Sequence, residues 1–309
     1  MPIRSVVAAT ACALLGMAAA PRADASNDLN TFVLSASAIK WNKPVKPQRI
    51  FGNTYYVGVA GLSAVLIRGT GGLILIDGDL PPSAPLIEAN IRALGFDVKD
   101  IKYILNSHAH FDHAGGIAQL QQDSGAPALT SPAGAAALRA GHVAPDDPQA
   151  AFTDTAAFPP VADARGVADG ETVTLGDVAV TAQHTPGHTP GSTSWTWRTC
   201  EDKHCVAFVY ADSLTAMSAP GFRFTGDGTH PDISANFRRS IRRIGALPCD
   251  ILITTHPDVA DVPKKLRRLA AGATPNPFID TNACENLARD AETNLDARIA
   301  QEKSTQPAQ

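Results

Sequence analysis

Short apolar runs punctuated by glycine recur along the chain in two β-rich stretches, each accompanied by segments of helical period. In the first stretch, residues 54–60, 62–68 and 72–77 read as a meander ending at Ile74-Leu75-Ile76-Asp77-Gly78. Residues 83–94 then read as a helix: Ser83 can cap it, and Leu86, Ile87, Ile91 and Leu94 recur at helical spacing. Residues 101–105 form a buried-type strand that delivers the chain to Asn106-Ser107-His108. A helix over 115–122, a short strand at 128–129 and an alanine-rich helix over 132–140 follow. Residues 142–166 are rich in Pro, Ala and Asp and have no period, so they read as a long surface loop.

The second stretch repeats the rhythm. A hairpin over 172–175 and 178–184 turns at Gly176-Asp177, and strands follow at 193–197 and 206–210. An amphipathic, arginine-bearing helix spans 233–246, a strand over 251–254 leads to His256, and helices over 263–271 and 282–301 close the chain. Two β-rich halves flanked by helices predict an α/β fold, an αβ/βα four-layer sandwich of two packed mixed sheets. No linker divides the halves, so residues 26–309 are expected to form a single domain.

The N-terminus changes the picture of where the protein works. Arg4 is followed by an apolar run to Ala20 and by the small-residue triplet Ala23-Asp24-Ala25, the pattern of a cleaved signal peptide over residues 1–25. Export to the periplasm is the expectation. The run is too short and too rich in alanine for a spanning helix, and no later segment reads as one, so no membrane partner is expected. Removing Arg4, Arg22 and Asp24 with the leader leaves 24 Lys and Arg against 29 Asp and Glu, a net of −5. That balance argues against nucleic acid, whose phosphates call for a basic face.

Cys12 departs with the leader, and the four cysteines that remain predict two disulfides in an exported chain. Of the possible pairings, Cys200–Cys205 would close the short loop 201–204 between strand-like segments, and Cys249–Cys284 would tie the last helix to the body. The absence of a tight Cys-x-x-Cys pair counts against a thiolate metal site.

The chemistry concentrates in one run. His108, His110, Asp112 and His113 lie within six residues, directly after an apolar strand and before Ala114-Gly115-Gly116. Imidazole and carboxylate at this density suit zinc. An extended His-x-His sends both rings to one side, leaving Asp112 and His113 for a neighbouring ion. Further ligands must come from elsewhere. Two His-Thr-Pro-Gly copies stand back to back at His184 and His188, and the turn Thr185-Pro186-Gly187 would re-aim the second ring, which favours His188. His256, at a strand end and followed by Pro257, is the other candidate. His142, His204 and His230 lack partners at ligand spacing and read as surface or loop residues. The expected division is His108, His110 and His188 for one Zn2+, and Asp112, His113 and His256 for a second, each with an open position.

These residues resemble the metallo-β-lactamase superfamily. The resemblance rests on His108-Ala-His-Phe-Asp-His113, Gly187-His-Thr-Pro-Gly-Ser-Thr-Ser-Trp195 and the late strand-end His256. The stretch from Phe158-Pro-Pro-Val161 to Asp169-Gly170, together with Ala211-Asp-Ser-Leu214 and Ser218-Ala-Pro-Gly-Phe222, narrows it to the third subclass of zinc β-lactamases. The resemblance implies an αββα fold, two zinc ions and hydrolysis of penicillins, cephalosporins and carbapenems by a metal-activated hydroxide. Small-molecule β-lactams are the expected partners of a monomeric enzyme. It also implies that Asp112 accepts a hydrogen bond from the nucleophile and orients it. Ser213, Thr215 and Ser218 become substrate-binding candidates, and Asp77 resembles the family's buried aspartate beneath the ligand loop.

Asp212 points to a rival. In glyoxalase II-like hydrolases an aspartate in a similar segment bridges two metals, and here that role would imply a thioester, lactone or phosphodiester substrate. A non-catalytic zinc-binding protein is a third reading; it would need closed coordination spheres.

Overall fold

The structure is a computed structural model that describes residues 1, 35–153 and 155–305. Met1 apart, the expected leader lies outside the described residues. One sheet holds β1 (Gln48–Phe51), β2 (Thr54–Tyr56), β3 (Val65–Gly69), β4 (Gly72–Ile76), β5 (Ile101–Leu105), β6 (Ala128–Thr130) and β7 (Ala164–Gly166), in that spatial order. Its pairs are antiparallel from β1 to β4 and parallel from β4 to β7. The other sheet holds β8 (Thr172–Leu175), β9 (Val178–His184), β10 (Thr193–Glu201), β11 (His204–Ala211) and β12 (Ile251–Thr254), antiparallel except for β11 with β12. Both sheets are mixed, as expected.

The continuous apolar runs of β3 and β4 have a physical reason: both of their faces are buried. Side chains alternate across a strand. Val65, Ile67, Ile74 and Ile76 enter the core between the sheets with Trp195, Trp197, Phe208 and Tyr210. Leu66, Leu73 and Leu75 face the other way, against Ile87 and Ile91 of α2 (Ala84–Ala93), Ile117 and Leu120 of α4 (Ile117–Ser124) and Leu138 of α5 (Pro132–Ala140). Helices α6 (Ser234–Gly245), α7 (Val262–Ala270) and α8 (Ala283–Ser304) close the inter-sheet core from the far side through Phe237, Ile241, Leu266 and Leu295. The layers are helix, sheet, sheet, helix.

Both expected disulfides are present. Cys200 and Cys205 face each other across the β10–β11 pair, and Cys249 joins Cys284 in the first turn of α8. No helix of the described residues is long and apolar enough to cross a membrane.

Three regions depart from the expectation. Helix α1 (Ala36–Trp41) and the edge strand β1 fall in a stretch of lysines and prolines without a clear period. The helix expected over 115–122 is α4, which starts at Ile117 after the turn at Gly115-Gly116, and a short helix that was not expected, α3 (Phe111–Ala114), precedes that turn. A Cβ on Gly116 would collide with the carbonyl of Gly78, so this approach of β4's end to the ligand run depends on glycine. Residues 142–166 are not a plain surface loop: they end in strand β7, and Val143, Asp147, Phe158 and Val161 are buried. Local turns and tertiary contacts, rather than a period, organise them.

Candidate metal centre

The residues singled out by spacing converge where strands of both sheets end. Strand β4 runs into Asp77, β5 into His108, β11 into Asp212 and β12 into His256. Asp77 is wholly buried and sits in the left-handed region at φ 62°, a conformation Asp tolerates better than most side chains. Its Oδ1 accepts from the Ser107 N–H (2.7 Å) and Asn106 Nδ2 (3.0 Å), and its Oδ2 from Ser107 Oγ (2.6 Å) and Tyr210 OH (2.9 Å). One carboxylate therefore ties the β5 exit to β11 of the opposite sheet.

The ligand atoms of His108, His110 and His188 lie within 4.8 Å of one another, and so do those of His108, Asp112 and His113. His256 joins through Asp112: Oδ2 lies 3.4 Å from His256 Nε2 and 3.4 Å from His113 Nε2. Its side chain remains 33 % exposed, on the open side of the cluster, while the others are buried. The tightest second group thus contains His108 where the spacing argument had His256.

Each of four rings is held by a partner on its other nitrogen, which orients the free nitrogen inward. His108 Nδ1 donates to Asp212 Oδ1 (2.6 Å), and His188 Nδ1 donates to the Thr215 carbonyl (2.9 Å). His110 Nε2 faces Asp147 (3.2 Å), and His256 Nδ1 faces the Gly61 carbonyl (3.3 Å). His188 reaches this position because Gly187 adopts φ 153°, where a Cβ would run into the Phe237 ring. His184 stays behind, its Nε2 on the Val167 carbonyl (3.1 Å).

The donor set fits zinc. His108 Nε2 and both nitrogens of His113 are buried with no hydrogen bond among the described residues, a costly arrangement unless a cation takes the lone pairs. Burial, with His113, His110 and His188 nearby, holds His108 well below its ordinary pKa, and burial takes His188 down to about 3. Both rings are neutral, the form that ligates. Burial pushes Asp112 up, but His113 and His256 outweigh it and keep the carboxyl ionised well below its usual range. Burial opposes charge on His113 as well, yet Asp112, Asp77 and Asp79 raise it to about 9. Those carboxylates would equally attract a divalent ion, which competes with that proton.

These groups form part of the wall of a cleft of about 540 Å³. Trp41, Phe111, Phe152 and Met217 line it with apolar surface, and Ser213 and Thr215 stand at its edge with their hydroxyls 2.6 Å apart. The model described as the metallo-β-lactamase superfamily matches residues 57–202. The chain is 49% identical to MEM-A1, a subclass B3 metallo-β-lactamase from a soil metagenome library, covering 86% of this chain and 100% of that one at a TM-score of 0.82. The chain belongs to the metallo-β-lactamase superfamily.

Solved neighbours at 35–49% identity are subclass B3 enzymes. BJP-1 of Bradyrhizobium japonicum is 35% identical over 86% of this chain and 97% of its own, at a TM-score of 0.77. A hydroxyacylglutathione hydrolase of Bradyrhizobium sp. strain ORS 278 is 30% identical over 153 residues, 50% of this chain and 47% of the relative. The chain spans about half the length of the curated relatives of that kind.

Two residues weighed from the sequence stand outside the cleft lining and the tight ligand groups. Ser218 does not line the cleft: its Oγ accepts from Arg298 Nη2 (2.8 Å) and donates to the Ala219 carbonyl (3.2 Å), because the chain turns toward α8 after Met217. Asp212 stands behind His108, its backbone N–H on Ser194 Oγ (2.9 Å), and belongs to neither tight ligand group among the described residues. Spacing arguments missed Asp147, Gln149 and Trp41. Gln149 Nε2 lies 3.3 Å from His188 Nε2, and the Trp41 ring stands edge-on to His256 at 5.2 Å. The prolines of Pro145-Asp146-Asp147-Pro148 mark a turn there but not what it packs against.

Proposed function

We propose that this chain is an exported, monomeric zinc β-lactamase of the B3 kind, acting in the periplasm as a single domain over residues 26–309. It opens the lactam amide of penicillins, cephalosporins and carbapenems and so confers antibiotic resistance. One zinc is held by His108, His110 and His188, and the other by Asp112, His113 and His256. The observation that carries this reading is the convergence of five histidines and Asp112 on one cleft wall, with His108 and His113 keeping buried ring nitrogens that have no hydrogen bond among the described residues.

Zinc bound there supplies Lewis acidity and a water acidic enough to act as nucleophile near neutral pH. The residues supply the rest. Asp112, ionised, accepts a hydrogen bond from the nucleophile and aims it at the lactam carbonyl. Ser213 and Thr215 offer hydroxyls to the substrate carboxylate, and Asp77 holds the ligand run rigid beneath. Trp41, Phe111 and Phe152 exclude bulk water from the reacting bond.

The rival thioester hydrolase is favoured by the hydroxyacylglutathione hydrolase relatives. Against it stand the position of Asp212 behind His108 and the fuller coverage of the B3 neighbours. Assay of the zinc-loaded mature protein with a penicillin, a carbapenem and an acylglutathione thioester separates them. Turnover of the two lactams, abolished by a chelator, is expected. Turnover of the thioester alone overturns the lactamase reading, and turnover of none favours a non-catalytic zinc-binding protein.

A further inference from the structure

Asp147 takes no part in the chemical steps above, yet it is a carboxylate only 3% exposed beside a candidate ligand. Its oxygens sit almost symmetrically on His110 Nε2, at 3.2 and 3.3 Å. Oδ1 also accepts from the Gln149 N–H (2.8 Å), the Asp147 N–H donates to the Ala144 carbonyl (3.0 Å), and its carbonyl accepts from the Ala150 N–H (3.0 Å). The next carbonyl, that of Pro148, accepts from the Ala219 N–H (2.8 Å). One buried group therefore joins His110 to a turn whose neighbours Val143, Gln149, Ala151 and Phe152 line the cleft.

We propose that Asp147 is a positioning residue that couples the metal centre to this cleft wall. By accepting from Nε2 it holds His110 in the tautomer that leaves Nδ1 to ligate, and it fixes the plane of the ring. A carboxylate on the far nitrogen also makes the ligating nitrogen more basic. The coupling is reciprocal: if the wall favours the ligating form of His110, metal on His110 must favour the ordered wall. This inference rests on the metal-centre reading, since Asp147 acts through His110.

The test uses the full mature chain. Zinc affinity is measured by competition with a chromophoric chelator, and cobalt(II) absorption reports the ligand field. Asp147→Ala is expected to weaken metal binding about 10–100-fold and to change the cobalt bands. Asp147→Asn, which keeps an oxygen acceptor, loses less. In the wild type, metal slows amide exchange across residues 143–153, and in Asp147→Ala that slowing disappears. Wild-type affinity and cobalt spectrum in Asp147→Ala overturn the proposal, as does equal slowing in both proteins. If Asp147→Ala does not fold, Asp147→Ser replaces it: its hydroxyl can still cap the turn at the Gln149 N–H but is too short to reach His110. Unchanged affinity there overturns the proposal equally. His110→Ala is the control: if it binds metal as tightly as the wild type, the metal-centre reading has failed rather than the role of Asp147.

Discussion

Asp112 and Asp77 are both buried acids of the same region, and their surroundings give them different tasks. Asp112 Oδ2 lies 3.4 Å from two imidazoles, which keep it ionised and at the centre of the cluster. Asp112→Ala should lower lactam turnover on the order of a hundredfold or more, at least matching the loss of an outer partner of a metal ligand. Steady-state kinetics on a carbapenem check this, and an unchanged rate removes Asp112 from the mechanism. Asp77 meets hydrogen-bond donors instead, and burial pushes its carboxyl pKa up. Asp77→Ala strands the Ser107 N–H, the Ser107 hydroxyl and one Asn106 Nδ2 hydrogen, whereas Tyr210 OH keeps the Ser63 carbonyl. With each orphan costing about 1–3 kcal/mol, a loss of at least about 3 kcal/mol is expected in denaturant unfolding.

Among the elements, α8 does more than cover the core. Near its end Glu302, buried, accepts from the Phe224 N–H (2.9 Å), the Thr225 N–H (3.0 Å), Thr225 Oγ1 (2.8 Å) and Arg298 Nε (2.7 Å). Arg298 in turn donates to Ser218 and to the Phe222 carbonyl. The last turns of α8 thus clamp the segment that follows Thr215, whose carbonyl orients His188. Burial pushes the Glu302 pKa up, but these hydrogen bonds outweigh it and hold the pKa below its ordinary value of 4.5. Because the folded pKa is depressed, the stabilisation is full above about pH 4.5 and is lost as pH falls through the folded pKa. Glu302→Gln should therefore be less stable than the wild type at pH 7, and the gap should narrow on acidification. Thermal melts from pH 7 to pH 3 check it; a constant gap contradicts the assignment.

Over the whole molecule, two disulfides act on very different lengths of chain. Cys200–Cys205 closes a separation of 5 residues inside an existing strand pair, whereas Cys249–Cys284 closes 35 and anchors α8 to the body. Loop-closure entropy gives about 2 kcal/mol for the first and about 4 kcal/mol for the second. Chemical unfolding of the Cys249→Ala/Cys284→Ala double variant should show the larger loss. If the Cys200–Cys205 pair matters more, the constraint on the unfolded chain is not what these bonds contribute.

Local pattern was enough to read most strands, the ligand-dense run from His108 to His113, and the short cysteine loop, because these depend on alternation, density and neighbours close in sequence. The two-sheet architecture followed from the same rhythm appearing twice. The turn between the repeated His-Thr-Pro-Gly copies already favoured His188; tertiary structure supplied what each ring meets, the Val167 carbonyl for His184 and the cluster for His188. It also turned Ser218 away from the cleft and set Asp212 behind His108, across 104 residues of chain. Asp147 was hidden for the same reason. Its role depends on a buried ring 37 residues away, and a segment without a period carries no local sign of what it will fold against.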